Sequence, residues 1–561
     1  MKKFLYILSS ALLLAGCNFL DFDETSSLYD REDMYTTYSN IQKMLTNIYG
    51  YMPYRYIADV SNAMRECGID DAEYADPDAS VQRFNNGNWS PIATVDTKWD
   101  YYKAIRCVNE FLESMEKVDI SIYRYDAKYN QWMEHLQYYP YEARTLRAFY
   151  LFDLARRYGD IPVPLKMLTV EEANSIEKTP FNEVIDFIVK ECDDCAEHLP
   201  DTYIGMLGDE YGRVTKAFAM AVKAKALLYA ASPLFNKNGD AEKWKAAADA
   251  AKAIIDMNNE KHLFALDPNE TANSVASSET ILQIMRSEDM DFEKYNFPVR
   301  FTQGKKTSMA GTYPTQNLVD AFQTKNGYDI TLGEDGWHTD DPSFDITKPY
   351  EGRDPRFARA ILADGMSFKG STIETFVGGA DYSATRQDLG SPTGYYLRRY
   401  IMEATDFTPE ANVSLKHSWI VCRYAEILLS YAEALNEYRG PDYKGEGFTM
   451  TAREALNLIR ANAGMPSISV SGKDAVRTAI QREWRVEFAF EDHRFWDVRR
   501  WKLGETTQKQ VYGVEITATP ADKQYKRVLV ENRTWNDKMY LYPIPQSEYF
   551  CNHNLTQNEG W

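Results

Sequence analysis

Apolar residues return at helical spacing in two separated blocks of this chain, and no other feature narrows its fold as far. Between Glu142 and Tyr158, Ala148, Leu151, Phe152 and Ala155 fall at i, i+3, i+4 and i+7 and form one stripe, which Gly159 and Pro162 bring to an end. After Val214 a second stripe runs through Ala217, Met220, Ala221, Ala224 and Leu228, with alanines small enough for a neighbouring helix to come close. Ser232-Pro233 stops it, and a further helix from Ala241 to Met257 follows with almost no linker, so the spacing predicts stacked antiparallel helix pairs. Helices return with Tyr424, Ile427, Leu428, Tyr431 and Leu435 on one face, closed by Gly440-Pro441. Thr451-Ala452-Arg453-Glu454 is a capping box for the next helix, which Gly464 and Pro466 close.

Between the blocks, Gly, Pro, Asp and aromatic residues break the chain into short strands and long loops, and loops of this length are usually functional or disordered. The expected fold is mainly α, a tetratricopeptide-like helical scaffold with an irregular, partly β insertion. Its parts are an N-terminal helical block over 18–257, a ligand-facing insertion over 258–413, and a C-terminal helical block and tail over 414–561, the two helical blocks sharing one core. No clean self-similarity at a 34-residue period accompanies the pattern.

The first residues read as an export signal over 1–16. Lys2 and Lys3 precede an apolar run from Phe4 to Leu14 that is too short to span a bilayer. Leu13-Leu14-Ala15-Gly16-Cys17 resembles a bacterial lipobox, which makes Cys17 the expected acylated N-terminus. No later stretch is apolar enough to cross a membrane, so lipid is the expected anchor. Against 63 Lys and Arg stand 83 Asp and Glu, a net charge of −20 that argues against nucleic acid as a partner. The 39 tyrosines and 11 tryptophans suit either dense helical packing or surfaces that stack on sugar rings. Besides Cys17 the cysteines are irregularly spaced, and Cys192-Asp193-Asp194-Cys195 has no second pair to complete a metal site, so these are expected to be structural thiols.

No Gly-x-Ser-x-Gly elbow, His-Glu-x-x-His helix or phosphate-cradling glycine loop is present, so neither catalysis nor a cofactor is expected. The acidic stretch Asp329 to Asp345 lacks EF-hand spacing and reads as a solvated loop, with no metal expected. The segment from Arg482 to Trp501 interleaves Glu483, Glu487, Glu491, Asp492 and Asp497 with Arg485, Arg494, Arg499 and Arg500. Opposite charges three or four residues apart predict a salt-bridged helix face in preference to acid–base machinery.

Several strings together resemble one family. Arg147-Ala148-Phe149-Tyr150-Leu151-Phe152-Asp153-Leu154 is followed by Tyr158-Gly159-Asp160-Ile161-Pro162, and Gly212-Arg213-Val214-Thr215-Lys216 leads to Leu227-Leu228-Tyr229-Ala230-Ala231-Ser232-Pro233. Further on come Pro314-Thr315-Gln316-Asn317-Leu318, Arg423-Tyr424-Ala425-Glu426-Ile427, the Arg482–Trp501 segment, Tyr542-Pro543-Ile544-Pro545 and Asn554-Leu555-Thr556-Gln557-Asn558. In this order they resemble the SusD/RagB family of outer-membrane nutrient-binding lipoproteins over essentially the whole chain. The resemblance implies a SusD-like α/α superhelix whose insertion carries the ligand surface. It also implies a lipid-anchored place on the cell-surface side of the outer membrane, and a SusC-like TonB-dependent transporter that receives a captured oligosaccharide. Asp21, Asp23 and Glu24 fit the acidic export signal of such surface lipoproteins. A peptide-binding member, a lipid-anchored glycoside hydrolase and a purely structural helical adaptor are the alternatives.

Aromatic residues in turn-rich sequence outside the helical stripes nominate the ligand contacts. Arg83, Asn85, Asn88 and Trp89 combine a stacking ring with amide and guanidinium donors; Tyr295 and Phe297 follow a strand from Glu279 to Met285; Trp337 lies between Gly336 and His338. Core packing is the competing reading for each ring. Replacing Cys17 with Ala is expected to abolish acylation without altering the helical body; metabolic labelling with a fatty acid checks this, and label in the variant would reject the lipobox.

Overall fold

The computed structural model describes residues 35–53, 55–206, 210–268, 273, 277–519 and 522–561. Cys17 and the export signal lie outside the described residues. Ten helices carry the scaffold: α1 (Tyr38–Gly50), α2 (Tyr101–Met115), α3 (Tyr129–Tyr158), α4 (Phe181–His198), α5 (Lys216–Ala231), α6 (Ala241–Lys261), α7 (Tyr424–Arg439), α8 (Ala452–Asn462), α9 (Lys473–Glu487) and α10 (Arg494–Arg500). From α1 to α7 each packs on the next, and α7 then packs on both α8 and α9. The α6–α7 contact matters most, because it joins the two helical blocks across the whole insertion. Ala217, Ala221 and Ala224 on α5 and Ala247, Ala248 and Ala251 on α6 are buried, so small side chains let these helices approach. No described helix is long and apolar enough to cross a membrane.

Boundaries differ from the sequence reading where a local residue overrides the pattern. Helix α3 begins at Tyr129, ahead of the stripe traced from Glu142, and carries Pro140 inside it. Helix α6 passes Met257 and stops at Lys261. His262 adopts a left-handed conformation there, and Asn258 ties off the turn through the backbone of Phe264. The predicted capping box on Thr451 forms with Glu454.

Short two-stranded ladders build the insertion and tie it to its flanks. Strand β1 (Ala72–Tyr74) pairs with β3 (Thr312–Pro314), β2 (Thr280–Asp289) with β6 (Leu415–Arg423), and β4 (Ile330–Leu332) with β5 (Trp337–Thr339). Near the C-terminus β7 (Gln510–Ala518) and β8 (Lys523–Asn532) form a hairpin. Because β6 runs directly into α7, the β2–β6 ladder splices the insertion onto the helical array.

The charged segment departs from expectation. Helix α9 ends at Glu487, Phe490 and Asp492 take positive φ, and α10 restarts at Arg494. Its charges are buried and pair mainly with other elements: Arg485 with Asp70 and Asp71, Arg494 with Asp70, Arg500 with Glu433. Glu483 and Glu487 bind Arg356, while Glu487, Glu491 and Glu279 converge on Arg423. Arg500 with Asp497 keeps helical spacing. The physical reason is enclosure: with both blocks packed around the segment, each charge needs a partner from whichever element lies opposite. Burial alone would raise the Glu487 carboxyl, but Arg423 and Arg356 hold it down at about 2.

The four cysteines at 67, 192, 195 and 422 are buried free thiols, and burial pushes Cys195 up to about 11, a protonated and unreactive state at neutral pH.

Arg423→Ala is expected to lower the unfolding free energy by about 3–5 kcal/mol, because three carboxylates lose their shared cation in the interior. Urea denaturation measures it, and a loss under about 1 kcal/mol, typical of solvated pairs, would mean that water reaches these carboxylates.

Candidate functional site

The structure separates the residues nominated from sequence. Trp89 is 2% exposed, edge-on to Phe84, Tyr542 and Trp561 with ring centroids 4.8, 4.7 and 5.0 Å away. Asn85 is buried beside it, its amide donating to the Cys67 carbonyl at 2.9 Å and to Gln82 at 2.6 Å. Arg83 is half-buried and donates to the Thr94 carbonyl at 2.7 Å, while Asn88 is exposed at the turn. Trp337 is buried in β5 against Tyr350 and Tyr525, with the Arg353 guanidinium 5.4 Å from its ring centre. Phe297 is fully buried. Trp89, Asn85, Phe297 and Trp337 are therefore corrected from exposed contacts to packing residues. For Trp89 the cause is the C-terminal tail, which folds back over the turn and lays Tyr542 and Trp561 on its ring.

Tyr295 is half-buried, packed in part against the main core, and polar groups lie on and near its helix. It lies on a short helix, Asp291–Asn296, with Asp291 one turn earlier on the same face. Asp291 pairs with Arg55, which also donates to Asn62. Ser61, next to Asn62, shares a hydrogen bond of 2.9 Å with Ser80. The Lys294 ammonium stands 5.3 Å from the Tyr295 ring centre. The half-buried ring thus has the Lys294 ammonium beside it and the Asp291–Arg55 pair one helical turn away, a platform of groups that can exchange hydrogen bonds with a polyhydroxylated ligand.

What lies beneath holds this platform rigid. Phe297 anchors a small separate core with Phe368 and Phe407, edge-on at 5.1 and 5.8 Å, and with Tyr313 and Tyr396. The buried Lys306 amine donates to the Tyr295 carbonyl at 2.8 Å and to the Tyr313 hydroxyl at 2.6 Å. Gly311 has φ +139, and a Cβ there would lie 2.6 Å from the Tyr295 carbonyl oxygen, so only glycine allows this close approach.

A second concavity lies between α1, β2 and the turn before α5. Cavities of about 550 and 430 Å³ share the wall Glu210–Arg213 with Gln283, and Tyr211 is exposed at their junction. Glu142, fully buried, accepts from Tyr49 at 2.5 Å, from Tyr203 at 3.1 Å and from Arg213, whose guanidinium also covers the Tyr203 ring at 3.7 Å. Burial, then Glu142, raise the Tyr49 phenol well above its ordinary value and keep it a donor. The turn Glu210-Tyr211-Gly212-Arg213 is the sequence signal for this cleft, an aromatic flanked by charge and glycine just ahead of a helical stripe. Among the described residues no group of three or more His, Cys, Asp or Glu is arranged to hold a metal.

Burial with no opposing charge lowers the Lys306 amine to about 7 from a usual value of 10.5. The unfolded chain then binds more protons than the folded one between these values, so stability rises with pH across about 7 to 10.5 on this account. Lys306→Met is expected to flatten that rise in denaturation midpoints measured across the interval; an unchanged slope would show that the amine is solvated.

Comparison with known proteins agrees with this architecture. Residues 263–561 match the SusD family, residues 18–228 match a family described as starch-binding associating with outer membrane, and residues 1–18 match a prokaryotic membrane lipoprotein lipid attachment site. These last matches support a lipid-anchored membrane location. SusD-like protein P2 of Formosa agariphila is 27% identical over 422 residues, 74% of this chain and 72% of its own. SusD-like protein P38 of the same organism is 24% identical over 511 residues, 89% and 90% of the two chains. A crystal structure of a SusD-like protein from Bacteroides fragilis superimposes with a TM-score of 0.77 at 27% identity, covering 95% of this chain and 99% of that one. A laminarin-binding SusD-like protein gives 0.60 at 21% identity, covering 93% and 99%. With the matched segment spanning more than half its length, the chain belongs to the SusD family.

Proposed function

We propose that this lipoprotein binds oligosaccharides on the platform headed by Tyr295 and passes them to a SusC-like TonB-dependent transporter at the cell surface, without cleaving them. The observation that carries the reading is the half-buried Tyr295 ring, whose backbone is held from beneath by Lys306, with the Lys294 ammonium beside the ring and the Asp291–Arg55 pair one helical turn away. A sugar face stacks on such a ring while its hydroxyls exchange hydrogen bonds with Arg55, Asn62, Ser61 and Lys294. The starch-binding description of the matched family and the laminarin-binding relative favour a glycan over a peptide. Hydrolysis needs two carboxylates set across the scissile bond with separated pKa values, whereas Asp291 beside Tyr295 is paired with Arg55. The lipid attachment site keeps the protein at the membrane, which fits delivery of the cargo to a separate transporter.

The Tyr211 cleft is a second reading for the binding site, favoured by its volume, which falls in the range of ligand pockets. Calorimetry with starch-type and laminarin-type oligosaccharides separates the two. Tyr295→Ala is expected to weaken binding by about 1–3 kcal/mol, on the scale of base–aromatic stacking, with thermal stability nearly unchanged. A loss confined to Tyr211→Ala moves the site to the cleft, and turnover of any glycan rejects the binding role. Trp89→Ala is expected to do the opposite of Tyr295→Ala, costing about 3–5 kcal/mol of stability while the folded fraction keeps its glycan affinity. Mild detergent extraction is expected to recover a large barrel with the lipoprotein, and repeated recovery of the lipoprotein alone counts against the transporter.

A further inference from the structure

Where the two helical blocks meet, helices α5, α6, α7 and α9 leave a gap. It is a cavity of about 530 Å³, with Trp244 of α6, Glu437 of α7, Arg477 and Gln481 of α9 and Trp501 just past α10 in its wall. A helix rises about 1.5 Å per residue, which puts Glu437 about 20 Å along α7 from the splice at Arg423. The cavity shares no lining residue with the Tyr211 cleft and includes none of the groups around Tyr295. Its volume falls in the range of small-molecule pockets, which in helical proteins open between helices.

Two indoles stand in the wall, each more than nine-tenths buried, and neither packs on another aromatic ring among the described residues. The Trp501 N–H donates to Glu433 at 2.7 Å, and the Arg500 guanidinium lies 4.4 Å from its ring centre. Trp244 differs. Its N–H donates to no described residue and is not sealed in the interior, so it opens on the cavity. The Gln481 amide and the Lys237 ammonium also line the cavity without a described partner. The acids are already matched: Glu433 pairs with Arg500, and Glu437 accepts two hydrogen bonds of 2.6 Å from Arg477. An indole N–H, an amide and an ammonium beside apolar rings, with the carboxylates neutralised, suit a neutral ring that carries hydroxyls.

The wall is held in shape before any ligand arrives. Asn236 ties the turn after α5, donating to the Ala231 and Asp240 carbonyls at 3.1 and 2.9 Å and accepting from the Asp240 amide at 2.9 Å. The Leu234 amide donates to the Arg500 carbonyl at 3.0 Å, which fastens that turn to α10. A site set in advance loses little freedom on binding. We propose that this cavity is a second saccharide site, which seats one sugar unit of a neutral glycan against Trp244. The sugar hydroxyls accept from the Trp244 N–H and from Lys237 and exchange hydrogen bonds with Gln481. The proposal rests on the glycan reading above for the class of ligand and not for the place. Two weak sites on one body hold a long glycan far more firmly than either alone, wherever the glycan spans both.

The test is fluorine NMR of the full-length Cys17→Ala chain carrying fluorotryptophan, titrated with maltotriose or laminaritriose. The Trp244 signal, assigned by its loss in Trp244→Phe, is expected to move on titration, with the same midpoint in Tyr295→Ala and in Tyr211→Ala. In Gln481→Ala, with an unchanged melting temperature, the midpoint is expected to rise several-fold. A Trp244 signal that stays fixed while calorimetry records saccharide binding overturns the second site and leaves the first standing; a fixed signal with no binding heat overturns both. Movement that disappears in Tyr295→Ala or Tyr211→Ala also overturns the proposal, because Trp244 then reports the first site from a distance.

Discussion

Arg423 sits where β6 turns into α7, and its guanidinium gathers Glu279, Glu487 and Glu491 in the interior. Glu279 stands just before β2, Glu487 ends α9 and Glu491 lies in the turn beyond it, so one cation ties insertion, splice and C-terminal block together. Arg356 repeats the device with Asp354, Glu483 and Glu487. A second lattice crosses the N-terminal block: Arg157 binds Asp153 and Asp96, and Arg65 binds Asp96 and Asp492. Arg156 lies 3.9 Å from the ring centre of Trp496. Burial would raise the Asp153 carboxyl, yet Arg156 and Arg157 hold it well below the usual carboxylate range. Buried pairs of this kind add little net stability, because desolvation offsets the attraction, but losing one member strands the rest. The arrangement therefore acts less as glue than as a set of mutual conditions on where each element lies.

Those conditions explain how a mostly helical frame can present a loop surface in a defined shape. The insertion has little regular structure of its own, only ladders of two strands. Its rigidity comes from below, through the separate core around Phe297, the buried Lys306 amine under the Tyr295 carbonyl and the close approach at Gly311. Phe297 and Tyr295 stand two residues apart and serve opposite ends: one ring is sunk to hold the platform and the other is left at its surface. A preorganised surface loses less freedom when it takes up a flexible chain such as a glycan.

Sequence alone determined the class of fold, the expectation of a lipid anchor at Cys17 and the family, because each rests on local pattern. Helical stripes through Ala148 and Ala217 depend on residues a few places apart, and the breakers and caps at Gly159, Pro233 and Thr451 act within a turn. The tertiary structure decided which aromatic residues reach solvent. Trp89 and Tyr295 read alike in sequence, each in turn-rich surroundings near polar residues. Only the returning tail, with Tyr542 and Trp561, makes one of them core. The charges of the Arg482–Trp501 segment follow the same logic. Their spacing is right for pairing along one helix, but Phe490 and Asp492 break that helix, and Asp70, Arg356, Arg423 and Glu433 arrive from distant parts of the chain. Burial is set by what packs opposite a side chain, and for these residues that is non-local, so spacing along the sequence does not reveal it.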